Sequence, residues 1–222
     1  MVCKTLKQTE KNNTSRLEII QAAIAEFSSY GPEKMSLNQM CRTHNISKGR
    51  LYHHFASKND IFCACVSYVM EQFVADLVQF EVRPDQSFQE NLHNYYVSRI
   101  HYWMKFPDHY NMVKLAINNT NTEISKCIRP SIKKYDDAVL NKLVEILRYG
   151  KLLQWLNDEN LSQGLTNIVR VMNEGLFFPD ISRIVNAVRQ GRDDVAQQRK
   201  DDLIQLYDRF IDTILYGVLP RQ

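Results

Sequence analysis

The residues best suited to act on a partner lie in one short run, SKGRLYHHFASK, from Ser47 to Lys58. Read as a helix opening at Ser47, it sets Leu51 and Phe55 four apart on an inward face, while Lys48, Arg50 and His53 project outward. N–H donors gathered this way suit hydrogen bonds to phosphates and base edges. Arg50 is the first choice for base readout, since its planar fork matches O6 and N7 of guanine in a major groove. Lys48 can do the same less specifically or hold a phosphate. Gly49 puts no bulk where a sugar-phosphate backbone would approach. Specificity should rest on residues 48–53, and the rival reading of Lys48 and Arg50 is a solvated surface charge.

Covalent chemistry has little support. The chain has no Gly-rich phosphate loop, nucleophile elbow, H-E-x-x-H or C-x-x-C spacing, so neither an enzyme nor a bound cofactor is expected. The five cysteines, Cys3, Cys41, Cys63, Cys65 and Cys127, resemble no disulfide or zinc framework, which suits a reducing, cytoplasmic compartment. Cys63 and Cys65 are two apart and do not share a helix face; a buried structural role is favoured over metal or redox sensing. Uncharged runs such as 61–70 fall short of the ~18 apolar residues of a membrane span, and no apolar secretory signal opens the chain.

Charge is unevenly distributed. Of 222 residues with a net charge of +3, the first 60 carry nine Lys/Arg against five Asp/Glu, and the rest carry nineteen against twenty. All the positive excess sits beside the donor run, which raises the expectation of a polyanionic partner reached through that segment.

The elements that must position these residues read as helices throughout. Residues 1–13 are polar and lysine-bearing, and are expected to form a mobile basic arm that either reaches a minor groove or stays unengaged. Ser15 and Glu18 form a capping box for a helix with Leu17, Ile20, Ile24 and Phe27 on one face, ending at Gly31-Pro32. Ser36 and Gln39 start a short second helix that stops at Asn45, Ser47 caps a third, and the Ser57/Asp60 pattern opens a fourth through about Val82. Two short helices joined by a three-residue turn describe a helix-turn-helix. Further helices are expected at 87–106 (capped by Ser87 and Glu90), 108–118, 122–149 with a break at Pro130, 159–178 and 200–217, with 179–199 as a loop holding at most a short helix. The fold class is all-α, with about nine helices in a small head and a larger body.

Ser36, Met40, Ile46, Ser47, Gly49, Leu51, Tyr52, His54, Phe55, Ser57, Lys58 and Ile61 together resemble the DNA-binding head of the tetracycline-repressor (TetR) family of bacterial transcription regulators. The likeness covers about residues 14–75; Cys41, His44 and Asn45 depart from it, the last replacing the usual turn glycine. It implies a helix-turn-helix domain at 14–60 and a helical effector-binding and dimerisation domain at 61–222. By the same likeness Tyr52 and His54 touch the DNA backbone, against rival readings as packing or structural residues. Ser36, Ser47 and Lys58 lie at helix starts that attract phosphate, although the serines are caps first.

One head makes few contacts, so a homodimer on two half-sites is expected. Leu161, Leu165, Ile168, Met172 and Leu176 in one helix, with Leu203, Leu206, Tyr207, Phe210 and Ile214 in another, would build an isologous four-helix seam; the rival is an intramolecular core. The aromatic segment 95–110 suggests a small-molecule pocket of the family type. Tyr96, His101, Trp103, Met104, Phe106 and Tyr110, with Trp155, Phe177 or Phe178, would contact an apolar or aromatic effector, or simply form core. The leading expectation is a repressor released from a palindromic operator when that effector binds. The alternative is a DNA-located adaptor whose body binds a protein.

Overall fold

The computed structural model describes residues 2–149 and 178–217, and every regular element among them is an α-helix. In chain order these are α1 (Val2–Lys34), α2 (Leu37–Thr43), α3 (Lys48–His54), α4 (Lys58–Val78), α5 (Phe88–Lys105), α6 (Pro107–Ile117), α7 (Thr122–Tyr149), α8 (Phe178–Arg189) and α9 (Asp193–Gly217). The helix expected at 159–178 lies outside the described residues except at its final position.

Serine caps set most starts. The hydroxyls of Ser36, Ser47 and Ser57 accept from the backbone N–H three residues on, at 3.4, 3.2 and 3.1 Å. At Ser87 both halves of the capping box form: Ser87 Oγ accepts from Glu90 N at 3.2 Å, and the Glu90 carboxylate accepts from Ser87 N at 2.8 Å. Ser15 does not cap. The helix extends back to Val2, because residues 2–14 contain no glycine or proline to stop it. The segment expected as a mobile arm is therefore helical. Gly31, at φ 75° and ψ 166°, interrupts α1 as expected, and one further turn follows from Pro32.

Two other expectations change. Pro130 sits inside a continuous α7 without breaking it. The stretch expected as loop holds α8, whose Ile181, Ile184, Val185 and Ala187 are buried at helical spacing, and α9 begins at Asp193 after Gly191 turns the chain at φ 66°.

The chain forms two compact units. The first takes residues up to Gln72 with Asp108–Lys134. Its core joins Ile19, Ala23 and Phe27 of α1 to Met40, Leu51, Phe55 and Phe62, with Phe27 edge-on to Phe62 at 5.2 Å. The second takes Phe73–Pro107 and the chain from Tyr135 onward, where α9 packs on α8 and α5. By length and composition α4 could cross a membrane, yet half of its apolar stretch is buried within the chain, as in a core helix.

Candidate nucleic-acid interface

The turn between α2 and α3 is closed by the backbone. His44 N donates to Met40 O at 3.0 Å and Ile46 N to Cys41 O at 2.9 Å, which requires Asn45 to take φ 52°. Asparagine tolerates this left-handed conformation at less cost than most side chains. His44 shares a hydrogen bond of 3.1 Å with the buried carboxylate of Glu26, tying the end of α2 to α1. Sequence reasoning missed that pair, since eighteen residues separate its members.

Helix α3 divides its residues into three directions. Leu51 is fully buried and Phe55 nearly so, anchoring the helix. Lys48, Gly49, Tyr52 and His53 are exposed and contiguous, because 48/52 and 49/53 are i,i+4 pairs. Tyr52 is 56% exposed, so its ring is not core packing. A Cβ added at Gly49 would meet open space, so the surface there is free for close approach.

Arg50 and His54 take the third direction, toward α1. Arg50 Nε donates to Ser15 Oγ at 2.7 Å, its Nη2 donates to Ser15 O at 3.3 Å, and the guanidinium pairs with the Glu18 carboxylate. The outward projection expected of Arg50 is thus not what it adopts. His54 Nε2 lies 3.2 Å from Ser15 Oγ. Burial, then the charges of His53, Arg16 and Arg50, hold its imidazole below the ordinary histidine value, which favours the neutral ring. Arg16 lies over Phe55 at 5.1 Å and closes this side of the head. Lys58 Nζ donates to the carbonyls of Met35 and Glu33 at 3.1 and 3.4 Å, so it binds the end of α1. Ser36 and Ser47 are exposed at their helix starts.

The face formed is a shallow donor strip, Lys48, Tyr52 and His53 around Gly49, flanked by two exposed capped helix starts. Such a strip can form hydrogen bonds and ionic contacts to a polyanion in a groove wide enough for a helix. Among the described residues, no group of three or more His, Cys, Asp or Glu could hold a metal ion.

The second unit carries most of the residues expected at an effector. Tyr96 and Trp103 are buried on α5, and Trp103 stacks on Phe73 at 4.8 Å. His101 is exposed, 3.2 Å from Lys200 Nζ, and points away from that core. Met104 and Phe106 are half-buried, Phe106 against Tyr102 at 5.0 Å, while Tyr110 is buried in the first unit. A hollow of about 400 Å³ in the second unit is lined by Gln86, Glu90, His93 and Asp208 and by none of the expected aromatics. Trp155 and Phe177 lie outside the described residues, and Phe178 opens α8.

Of the residues expected at a dimer seam, Leu161, Leu165, Ile168, Met172 and Leu176 also lie outside the described residues. Leu203 and Tyr207 are buried within one chain, Tyr207 against Tyr96 at 4.1 Å, so these two belong to its own core. Leu206 is 43% exposed and Phe210 half-buried, one turn apart on α9, which also carries Ile214. Sequence reasoning missed Arg99, which is buried and donates to the phenol oxygens of Tyr135 and Tyr95 at 2.9 and 3.3 Å.

Residues 19–65 match the model of bacterial regulatory proteins of the tetR family. The Escherichia coli K12 protein named "Probable acrEF/envCD operon repressor" is 38% identical over 48 residues, a match spanning 22% of each chain. The fold resembles the transcriptional regulator FadR of Bacillus subtilis, solved with stearoyl-CoA, at TM-score 0.61 and 18% identity, covering 86% of this chain and 96% of that one. FadR of Bacillus halodurans, a fatty acid degradation regulator, gives TM-score 0.61 at 19% identity, covering the same shares. Residues 19–65 are thus similar in sequence to the bacterial regulatory proteins of the tetR family, and the helical fold is similar to that of the solved FadR regulators.

Proposed function

We propose that the protein is a homodimeric, cytoplasmic transcription repressor whose heads, residues 14–60, bind two half-sites of a palindromic operator. The observation that carries this reading is the exposed strip Lys48, Gly49, Tyr52 and His53 on a helix anchored by Leu51 and Phe55. Lys48 holds a phosphate or a base edge, Tyr52 and His53 reach the groove, and Ser36 and Ser47 present helix starts to the backbone. Arg50 reads a base only after leaving Glu18. The remainder, 61–222, dimerises and binds a small apolar or aromatic effector. FadR of Bacillus subtilis was solved with stearoyl-CoA, which supports an acyl compound as the first class to test. Release follows if the effector binds the DNA-incompetent state better than the competent one.

Selection of duplexes from a random library, followed by anisotropy titration at several salt concentrations, tests the reading. Lys48→Ala should weaken all selected duplexes alike and reduce the salt slope by about 1. Tyr52→Ala and His53→Ala should relax preference at individual positions. Failure to enrich any duplex, or no change in all three variants, would overturn it.

A further inference from the structure

The first unit contains a hollow of about 510 Å³ with two thiols in its wall, Cys63 of α4 and Cys127 of α7, together with Arg16, Asp60 and Tyr68. Both thiols line this one hollow, Cys63 buried and Cys127 exposed. One helical turn further along both helices, Ser67 Oγ and Ser131 Oγ lie 2.8 Å apart. The two pairs share a register: four residues on in α4 correspond to four residues on in α7. A hydroxyl pair at that distance draws the facing Cβ atoms of the two helices close, and Cys63 and Cys127 stand one turn back on both, the placement a disulfide between them needs. Cys65 is not part of the pair. Its thiol is fully buried and points to Ile20 O at 3.6 Å.

We propose that Cys63 and Cys127 form a peroxide-oxidisable dithiol that closes to a disulfide bridging α4 and α7. The two sulfurs have different roles. Cys127 is exposed, so its thiolate can meet a hydroperoxide. It attacks the peroxide oxygen, the O–O bond breaks, and an alcohol, or water from hydrogen peroxide, leaves as Cys127 becomes a sulfenic acid. Cys63 is buried, and burial, the neighbouring Cys127 and the charge of Asp60 together push its thiol up to about 12. That suits the resolving partner. Its sulfur attacks the sulfenic sulfur, the S–O bond breaks, and the Cys63 proton leaves with the hydroxide as water. In sum, two thiols and one hydroperoxide give a disulfide, an alcohol and water, and the peroxide takes the two electrons. The bridge would tie α7 to a helix that begins four residues after α3 ends. The chemistry stands whatever the head binds.

The test is oxidation of the full chain with one equivalent of hydrogen peroxide, followed by thiol counting under denaturing conditions and peptide mapping without reductant. The expected result is loss of two of the five thiols, one Cys63–Cys127-linked peptide, a monomer on non-reducing gels, and full recovery with a dithiol reductant. Cys127→Ser, an exposed change that leaves the core intact, should abolish the loss. Cys63→Ala should stop the reaction at a Cys127 sulfenic acid that a cyclic dione probe captures. No thiol loss, a chain-to-chain disulfide, oxidation of Cys127 alone in the unsubstituted protein, or a bridge through Cys65 would each overturn the proposal.

Discussion

Glu18 decides what Arg50 can do. The guanidinium is a third exposed and the carboxylate half exposed, so their pairing contributes only about 0.2–1 kcal/mol to folding. It nevertheless neutralises a cation beside the donor strip. Glu18→Gln should therefore cost little stability yet strengthen binding to selected duplexes by up to about fivefold, the same energy returned to DNA. Parallel urea melts and anisotropy titrations at fixed salt check this. If Glu18→Gln instead weakens binding, Arg50 acts by buttressing α1. The donor run itself was readable because Lys48, Arg50, Tyr52 and His53 fall within two helical turns and are interleaved with the apolar anchors Leu51 and Phe55. The direction of Arg50 was not, since Ser15 and Glu18 lie 35 and 32 residues away and only folding brings them near. Separation in sequence likewise hid the pairing of Cys63 with Cys127, which stands on another helix, whereas Cys65 lies only two residues from Cys63.

Helix boundaries were legible wherever a side chain closes its own backbone. Ser36, Ser47, Ser57 and Ser87 all start helices, since a cap is a contact over three residues. Helix α8 was obscured because Pro179 lies in its first turn, where proline is compatible with a helix, and Gly191 closes the chain beyond its end. Two variants probe the elements. Asn45→Ala places a Cβ-bearing residue without asparagine's local hydrogen bonding at φ 52° and should cost about 1 kcal/mol in a denaturant melt. Ser87→Ala removes a cap and should cost about 1 kcal/mol as well. The Ser87 backbone N–H, then its hydroxyl, hold the Glu90 carboxyl below its ordinary 4.5. A carboxyl depressed on folding stabilises fully above the unfolded value, and that contribution disappears as pH falls through the folded one. Melts of the unsubstituted protein should lose more stability below pH 4.5 than those of Glu90→Gln, and equal slopes would exclude the box as the cause.

At the scale of the whole molecule, the modest net charge of +3 conceals its division, since the first 60 residues hold a surplus of four positive charges and the rest a deficit of one. A dimer would present two such heads and a body that adds nothing to electrostatic attraction. Non-specific affinity then comes from the heads alone, and specificity depends on both reaching their half-sites together. Inserting about 5 bp between the selected half-sites turns one of them by half a helical turn, onto the opposite face of the duplex. A rigid dimer cannot follow. Binding should fall toward the non-specific level, roughly 10³-fold or more at physiological salt, while the residual binding keeps a steep salt dependence because phosphates are still contacted. A monomeric reader would show no such loss, its affinity for either half-site being indifferent to the spacing. Titrating original and lengthened duplexes side by side, with protein mass measured by sedimentation at the same concentrations, separates the two cases and assigns the loss to geometry, not to a damaged site.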